Sequence, residues 1–142
     1  MNPLLESLKR HNAFFAPPVP DGQIAILNMN LQKIRAATLP TEIIKFYQIC
    51  GGIKLESGYV FGPNEFKTGK SHPVPNILEI NQELTNIPTL RGKTIFGRND
   101  LFWFAFDASG VYTMLDNVGL QVLRKYQDAY RAIYECIAGG KI

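Results

Sequence analysis

Apolar residues first recur at helical spacing, then, in the second half of the chain, gather into short β-prone runs. From Ile24 to Thr38 the apolar positions Ile24, Leu27, Leu31 and Ile34 share one face, with Asn28, Gln32, Lys33 and Arg35 on the other, which predicts an amphipathic helix. In LPTEIIKFYQICGG, Ile43, Phe46, Tyr47 and Cys50 form one face of a second helix. Pro40 suits its first turn, and Gly51 suits a left-handed cap at its end. Tyr59 to Phe61 is a short β-prone run between Gly58 and Gly62-Pro63, so it reads as a strand ending in a turn. Phe66 to Pro75 is polar loop, and Ile77, Ile80 (or Asn81) and Leu84 predict a short helix over 77–84.

The C-terminal half predicts an antiparallel meander. LFWFAF, VYTML and LQVL are separated by Asp107–Gly110 and Asp116–Gly119, each with Asp first and Gly fourth, as a type I turn prefers. Thr94 to Phe96 adds a strand before them. LFWFAF is apolar on both faces, with Leu101, Trp103 and Ala105 on one and Phe102, Phe104 and Phe106 on the other, so it belongs in the middle of a covered sheet. Tyr126, Tyr130, Ile133 and Ile137 predict a closing helix, stopped by Gly139-Gly140, with Tyr126, Tyr130 and Tyr134 along one face. The expected class is α+β, a single domain with N-terminal helices packed on a mostly antiparallel sheet and a closing C-terminal helix. Residues 1–23 read as an N-terminal arm or short helix followed by a proline-rich stretch in which Asp21-Gly22 closes a turn. Residues 24–142 read as the domain itself.

Composition narrows the class of protein. With 142 residues, 46% hydrophobic and 19% charged, the chain can bury a core of its own and is not a disordered or coiled-coil sequence. Residues 1–71 carry eight basic and five acidic groups, and residues 72–142 carry seven of each, so the net charge of +3 belongs to the first half. That excess is too mild, and too scattered, for a nucleic-acid binder, and it excludes an acidic mimic of a nucleic-acid backbone. No run approaches the roughly 20 apolar residues that span a bilayer. The opening MNPLLESLKRHNAFF has charges where a signal peptide is apolar, so the expected location is the cytoplasm, without a membrane role. Cys50 and Cys136 both fall in apolar helical contexts and read as buried free thiols.

Little in the sequence points to catalysis. His11, His72, Cys50 and Cys136 lie far apart and show no metal-ligand spacing, so neither metal nor cofactor is expected. A Cys50–His72 pair is the one nucleophile–base combination to weigh, and Cys50 sits on the packed face of its helix, where a thiol is inert. Asp107 and Asp116 read as turn residues at opposite ends of a strand, not as a carboxylate pair. No phosphate-cradling glycine motif occurs. Phe102, Trp103, Phe104 and Phe106 would suit base stacking only with basic residues on neighbouring strands, and VYTML has none.

The order of features resembles the SUKH superfamily, which includes the fungal cell-wall-assembly regulator and many bacterial immunity proteins. Leu39-Pro40, Phe46-Tyr47 and Cys50-Gly51-Gly52 are similar to that family's second helix and its glycine end. Phe61-Gly62-Pro63-Asn64-Glu65 is similar to its strand and turn, and Asp107 to Gly110 to the turn of its meander. The likeness covers roughly residues 24–138. Two departures stand out: Cys50 replaces the usual Asn, and Gly97-Arg98-Asn99-Asp100 replaces a glycine-rich acidic stretch. The resemblance implies a binding protein without enzymatic activity, an immunity protein that occludes a cognate protein toxin encoded next to it. The alternatives are a regulatory interaction scaffold or, less favoured, a small-ligand or RNA-binding domain. For the contact surface the expected residues are Tyr59, Asn64, Glu65, Arg98, Asp100 and Trp103, near the glycine turn and the strand ends.

Overall fold

In the computed structural model, which describes residues 2–139, seven strands form one antiparallel sheet whose spatial order is the chain order. They are β1 (Phe14–Phe15), β2 (Ile53–Leu55), β3 (Gly58–Val60), β4 (Lys93–Arg98), β5 (Phe102–Asp107), β6 (Tyr112–Asp116) and β7 (Val122–Tyr126). The helices are α1 (Pro3–Arg10), α2 (Asp21–Lys33), α3 (Thr41–Ile49), α4 (Ile77–Leu84) and α5 (Ala129–Ala138), with a 3-10 turn at Pro88–Leu90. This is the expected α+β single domain with its meander and closing helix.

α5 lies across one face of the sheet and touches β2 through β7, burying Ile133, Cys136 and Ile137. Its first turn is capped by the Asp128 carboxylate, which accepts from the Tyr130 N–H at 2.9 Å. Its end is the left-handed Gly139 (φ 49°), while Gly140 lies outside the described residues. Between α5 and the sheet, Phe96 meets Phe104, Phe106 and Tyr112 at centroid distances of 6.4, 5.9 and 6.0 Å. As its two apolar faces require, β5 runs inside the sheet between β4 and β6, with the adjacent Phe104 and Ala105 both fully buried. Glu42 ties three elements together: its Oε1 accepts from the Tyr112 hydroxyl at 3.2 Å and from the α5 backbone at Ala129 at 3.4 Å.

Several boundaries differ from the sequence reading, each for a physical reason. Of the two readings of the N-terminus, the structure has the short helix: α1 packs on α5 with Leu5 and Leu8 fully buried, and Phe14–Phe15 joins the sheet as the unforeseen β1. Asp21-Gly22 closes no turn, since both residues lie in α2. The extended Pro20 offers its carbonyl to the N–H groups of Gln23 and Ile24, so α2 begins at Asp21, ahead of the expected domain boundary. α2 ends at Lys33, before Thr38, where Arg35 turns to φ 63°. Gly51 is not a left-handed cap, since α3 passes straight into the extended Cys50 (φ −156°). Glycine is needed at 51 for another reason: a Cβ there would stand 2.6 Å from the Pro17 carbonyl oxygen. Tyr126 ends β7 and does not enter α5, so the three tyrosines share no helix face. β2 was not expected. It pairs with β3 through a tight turn in which Glu56 takes φ 53°. Cys50 and Cys136 are free and buried, as read.

Candidate functional site

The sheet register aligns one residue from every strand. Phe14 pairs with Lys54, Lys54 with Tyr59, Tyr59 with Arg98, Arg98 with Trp103, Trp103 with Leu115, and Leu115 with Val122. Paired residues in an antiparallel sheet point to the same side, here the side away from α5. Lys54, Tyr59, Arg98 and Trp103 are half-buried along this row, and Phe14 and Val122 are exposed at its two ends.

A β-bulge sets the row. Ile95 pairs with Ala105 and Gly97 with Phe104, so Phe96 is the extra residue. In a regular strand Ile95 and Gly97 would share a face and Arg98 would point the other way. The bulge puts Ile95 and Arg98, three positions apart, on one side and drops Phe96 into the aromatic cluster under α5. Gly97 lies where α5 crosses, and a Cβ there would meet the Cys136 Sγ at 2.8 Å. From beneath the sheet that thiol reaches the backbone carbonyls of Tyr59 (3.3 Å) and Arg98 (3.5 Å). Burial pushes the Cys136 pKa well up, so the group stays a thiol and a donor.

Within the row, two cations rest on aromatic rings. The Arg98 guanidinium lies 4.7 Å from the Trp103 ring centre, and the Lys54 ammonium 5.7 Å from that of Tyr59. Among the described residues neither has a carboxylate within salt-bridge distance. Among those residues the buried Arg98 Nε has no hydrogen-bond partner either. Beside the row, the 66–75 loop folds back through a Phe66–Val74 bridge and leaves a cleft of about 400 Å³. Lys54, Tyr59, Phe61 and Arg98 form its floor, Ser71 to Pro75 one wall, and Ile80 of α4 another.

The six expected contact residues therefore fall in three places. Tyr59, Arg98 and Trp103 come together in the row. Asn64 and Glu65 are exposed in the turn after β3, where the Asn64 amide donates to the Gln23 side chain of α2 at 2.8 Å. Asp100 is exposed at the tip of the β4–β5 hairpin, and its carbonyl accepts from the Asn117 amide at 3.3 Å. The buried Asn99 shapes that tip: its Oδ1 accepts from the N–H groups of Leu101 and Phe102, and its amide donates to the Cys136 carbonyl. Lys54 and His72 were missed as neighbours of Arg98. The signal for Lys54 was a β2–β3 hairpin spelled IKLESGYV, too short to announce itself.

The other candidate chemistries have plain structural roles. Asp107 and Asp116 organise turns. The Asp107 Oδ1 accepts from the Ser109 hydroxyl and from the N–H groups of Ser109 and Val111. Slight burial raises its pKa, but these bonds and the Lys93 charge outweigh it and hold the carboxyl below its usual value. The Asp116 carboxylate accepts backbone bonds from Gly119, Gln121, Val118 and Leu120, which lower its pKa too. The Cys50 thiol donates to the Gly52 carbonyl at 2.9 Å, and burial pushes its pKa up to about 11. His72 is exposed, so the pair considered with Cys50 joins a buried, protonated thiol to a surface imidazole. Among the described residues no cluster of three or more His, Cys, Asp or Glu is placed to hold a metal ion. No helix there is long and apolar enough to cross a membrane.

Compared with known proteins, the chain matches no protein-family model and no curated protein sequence.

Proposed function

We propose that this protein is a non-catalytic binding protein of the immunity type, which neutralises a cognate protein toxin by docking over it in the cytoplasm. The observation that carries this reading is the Tyr59–Arg98–Trp103 row. Tyr, Arg and Trp are the side chains that most often dominate interface energetics, and a hydrogen-bonded sheet presents them with little left to order on binding. Arg98 is held by Trp103, and among the described residues by no carboxylate, so a partner meets a cation already oriented on a ring. The resemblance of Leu39-Pro40, Cys50-Gly51-Gly52, Phe61–Glu65 and Asp107–Gly110 to the SUKH superfamily supports the same reading. So do the buried thiols and the turn-forming carboxylates, which leave the expected nucleophile and acid candidates with structural work.

The test is co-expression with the product of the adjacent gene. A one-to-one complex that restores growth of cells poisoned by that product, and that Trp103→Ala weakens while the circular dichroism spectrum is kept, is the expected result. Absence of both complex and rescue overturns the proposal.

A further inference from the structure

The cleft beside the row has a chemistry of its own. Its cations, Lys54 and Arg98 on the sheet, face the 66–75 loop with His72, and among the described residues no carboxylate lines it. Both cations are parked on aromatic rings, and among the described residues the buried Arg98 Nε has no acceptor. A buried donor left unpaired costs about 1–3 kcal/mol, so this guanidinium is held at a cost within the sheet. Apart from Ser71, the remaining lining is mainly apolar, from Tyr59, Phe61, Pro73, Val74, Pro75 and Ile80. A cavity of about 400 Å³, apolar with a few convergent polar groups, has the size and character of a small-molecule site.

We infer that this cleft binds a carboxylate carried on an apolar body. The carboxylate meets the planar Arg98 fork and the Lys54 ammonium, and the body lies against Phe61, Val74 and Ile80. A guanidinium pairs two carboxylate oxygens at once, and its seat on Trp103 fixes the plane in which it does so. A second basic depression, lined by Arg35, Arg91 and Lys93, lacks this design: its surface is more polar, and Lys93 lies within the field of Asp107. It serves as the internal control. The inference does not depend on the toxin-binding proposal.

Trp103 is the chain's one tryptophan, so its fluorescence reports on Arg98. The experiment titrates the whole protein with cyclohexanecarboxylate, with its neutral amide and with inorganic phosphate, following Trp103 emission and backbone amide resonances. Saturable binding of the carboxylate is expected, shifting the amides of Lys54, Tyr59 and Arg98. The amide and phosphate should each bind at least about tenfold more weakly. Lys54→Met and Arg98→Met should each weaken the carboxylate about tenfold, and Arg91→Met should leave it unchanged. The amide spectrum shows for each variant whether the fold is kept, and Arg98→Lys, which keeps the charge without the fork, should fall between. Equal binding of the neutral amide, phosphate binding as tight as the carboxylate, or no binding by any probe overturns the inference. An acetylated Leu-Asp-Leu amide, run alongside, separates the sources: tighter binding of the peptide assigns the carboxylate to a protein segment, and tighter binding of the free acid to a small molecule.

Discussion

Asn81 stands where a strand partner of Ile95 would be. β3 ends at Val60, opposite Gly97, and beyond it Phe61 donates once more to the Phe96 carbonyl. One residue further, the Asn81 side chain accepts from the Ile95 N–H at 2.8 Å and donates to the Ile95 carbonyl at 2.9 Å, while also donating to Ile77 in its own helix at 2.8 Å. It is 3% exposed. A helical side chain thus completes the hydrogen bonding of a central strand beside its bulge, and α4 is pinned to the sheet at the edge of the cleft.

Removing that amide strands two buried backbone groups. At about 1–3 kcal/mol each, Asn81→Ala should cost roughly 2–6 kcal/mol in urea unfolding. Asn81→Asp, which still accepts but can no longer donate, should be no better, because it sets an oxygen against two carbonyls. A loss under about 1 kcal/mol for the alanine variant would mean that water replaces the amide.

Gly62 and Gly51 pass backbone to backbone. A Cβ on Gly62 would lie 1.6 Å from the Gly51 carbonyl oxygen, a distance no side-chain rotation relieves. Gly62→Ala should therefore give little folded protein. Gly22, in the first turn of α2, has nothing within 4 Å of its Cβ, so Gly22→Ala should raise stability by up to about 1 kcal/mol. Thermal melts of the two variants test the contrast.

The thiols should be silent in the folded protein. Burial raises the Cys50 pKa to about 11 and moves Cys136 in the same direction, and thiolate is the reactive form. Iodoacetamide at neutral pH should label neither until denaturant is added, as read by intact mass. Labelling of the native protein at the rate of a free thiol would contradict the burial of both groups.

Acid should destabilise the meander through its turns. Asp107 and Asp116 titrate lower in the folded chain than in the unfolded one. Their contribution is therefore complete above the ordinary carboxylate pKa of about 4 and is lost as pH falls through the folded values. Urea midpoints measured from neutral pH downward should drop below about pH 4, and Asp107→Asn with Asp116→Asn should flatten that drop. An unchanged slope in the double variant would assign acid sensitivity elsewhere.

Partner binding should divide along the three places where the expected contact residues fall. Arg98→Ala and Trp103→Ala should each weaken the complex at least about tenfold, some 1.4 kcal/mol. Asn64→Ala and Glu65→Ala, off the row, should have smaller effects in the same titration. A larger effect at 64 or 65 would move the interface to the turn beside α2.

Much of this fold was legible because its signals are local. The 77–84 helix appears at its predicted bounds, and β6 and β7 each follow an Asp-x-x-Gly turn whose carboxylate binds its own loop backbone. β1 and β2 were hidden because two or three residues carry no readable alternation, and they are strands only because a neighbouring strand takes up their hydrogen bonds. Tyr126 was assigned to a helix because its spacing to Tyr130 fits one, and pairing with Tyr112 decided otherwise.

The candidate site shows the same division more sharply. The residue types were available from the chain itself: Tyr59 beside a glycine turn, Arg98 after Gly97, and Trp103 in an apolar strand. Their alignment was not, because register is a property of pairs of strands and a single extra residue reverses every side chain beyond it. Phe96 is that residue, drawn out of register by the aromatic cluster under α5. Composition and periodicity determined that this chain forms helices and a meander around one core. The packing of α5, through Gly97 and Cys136, decided which side chains share the opposite face of the sheet.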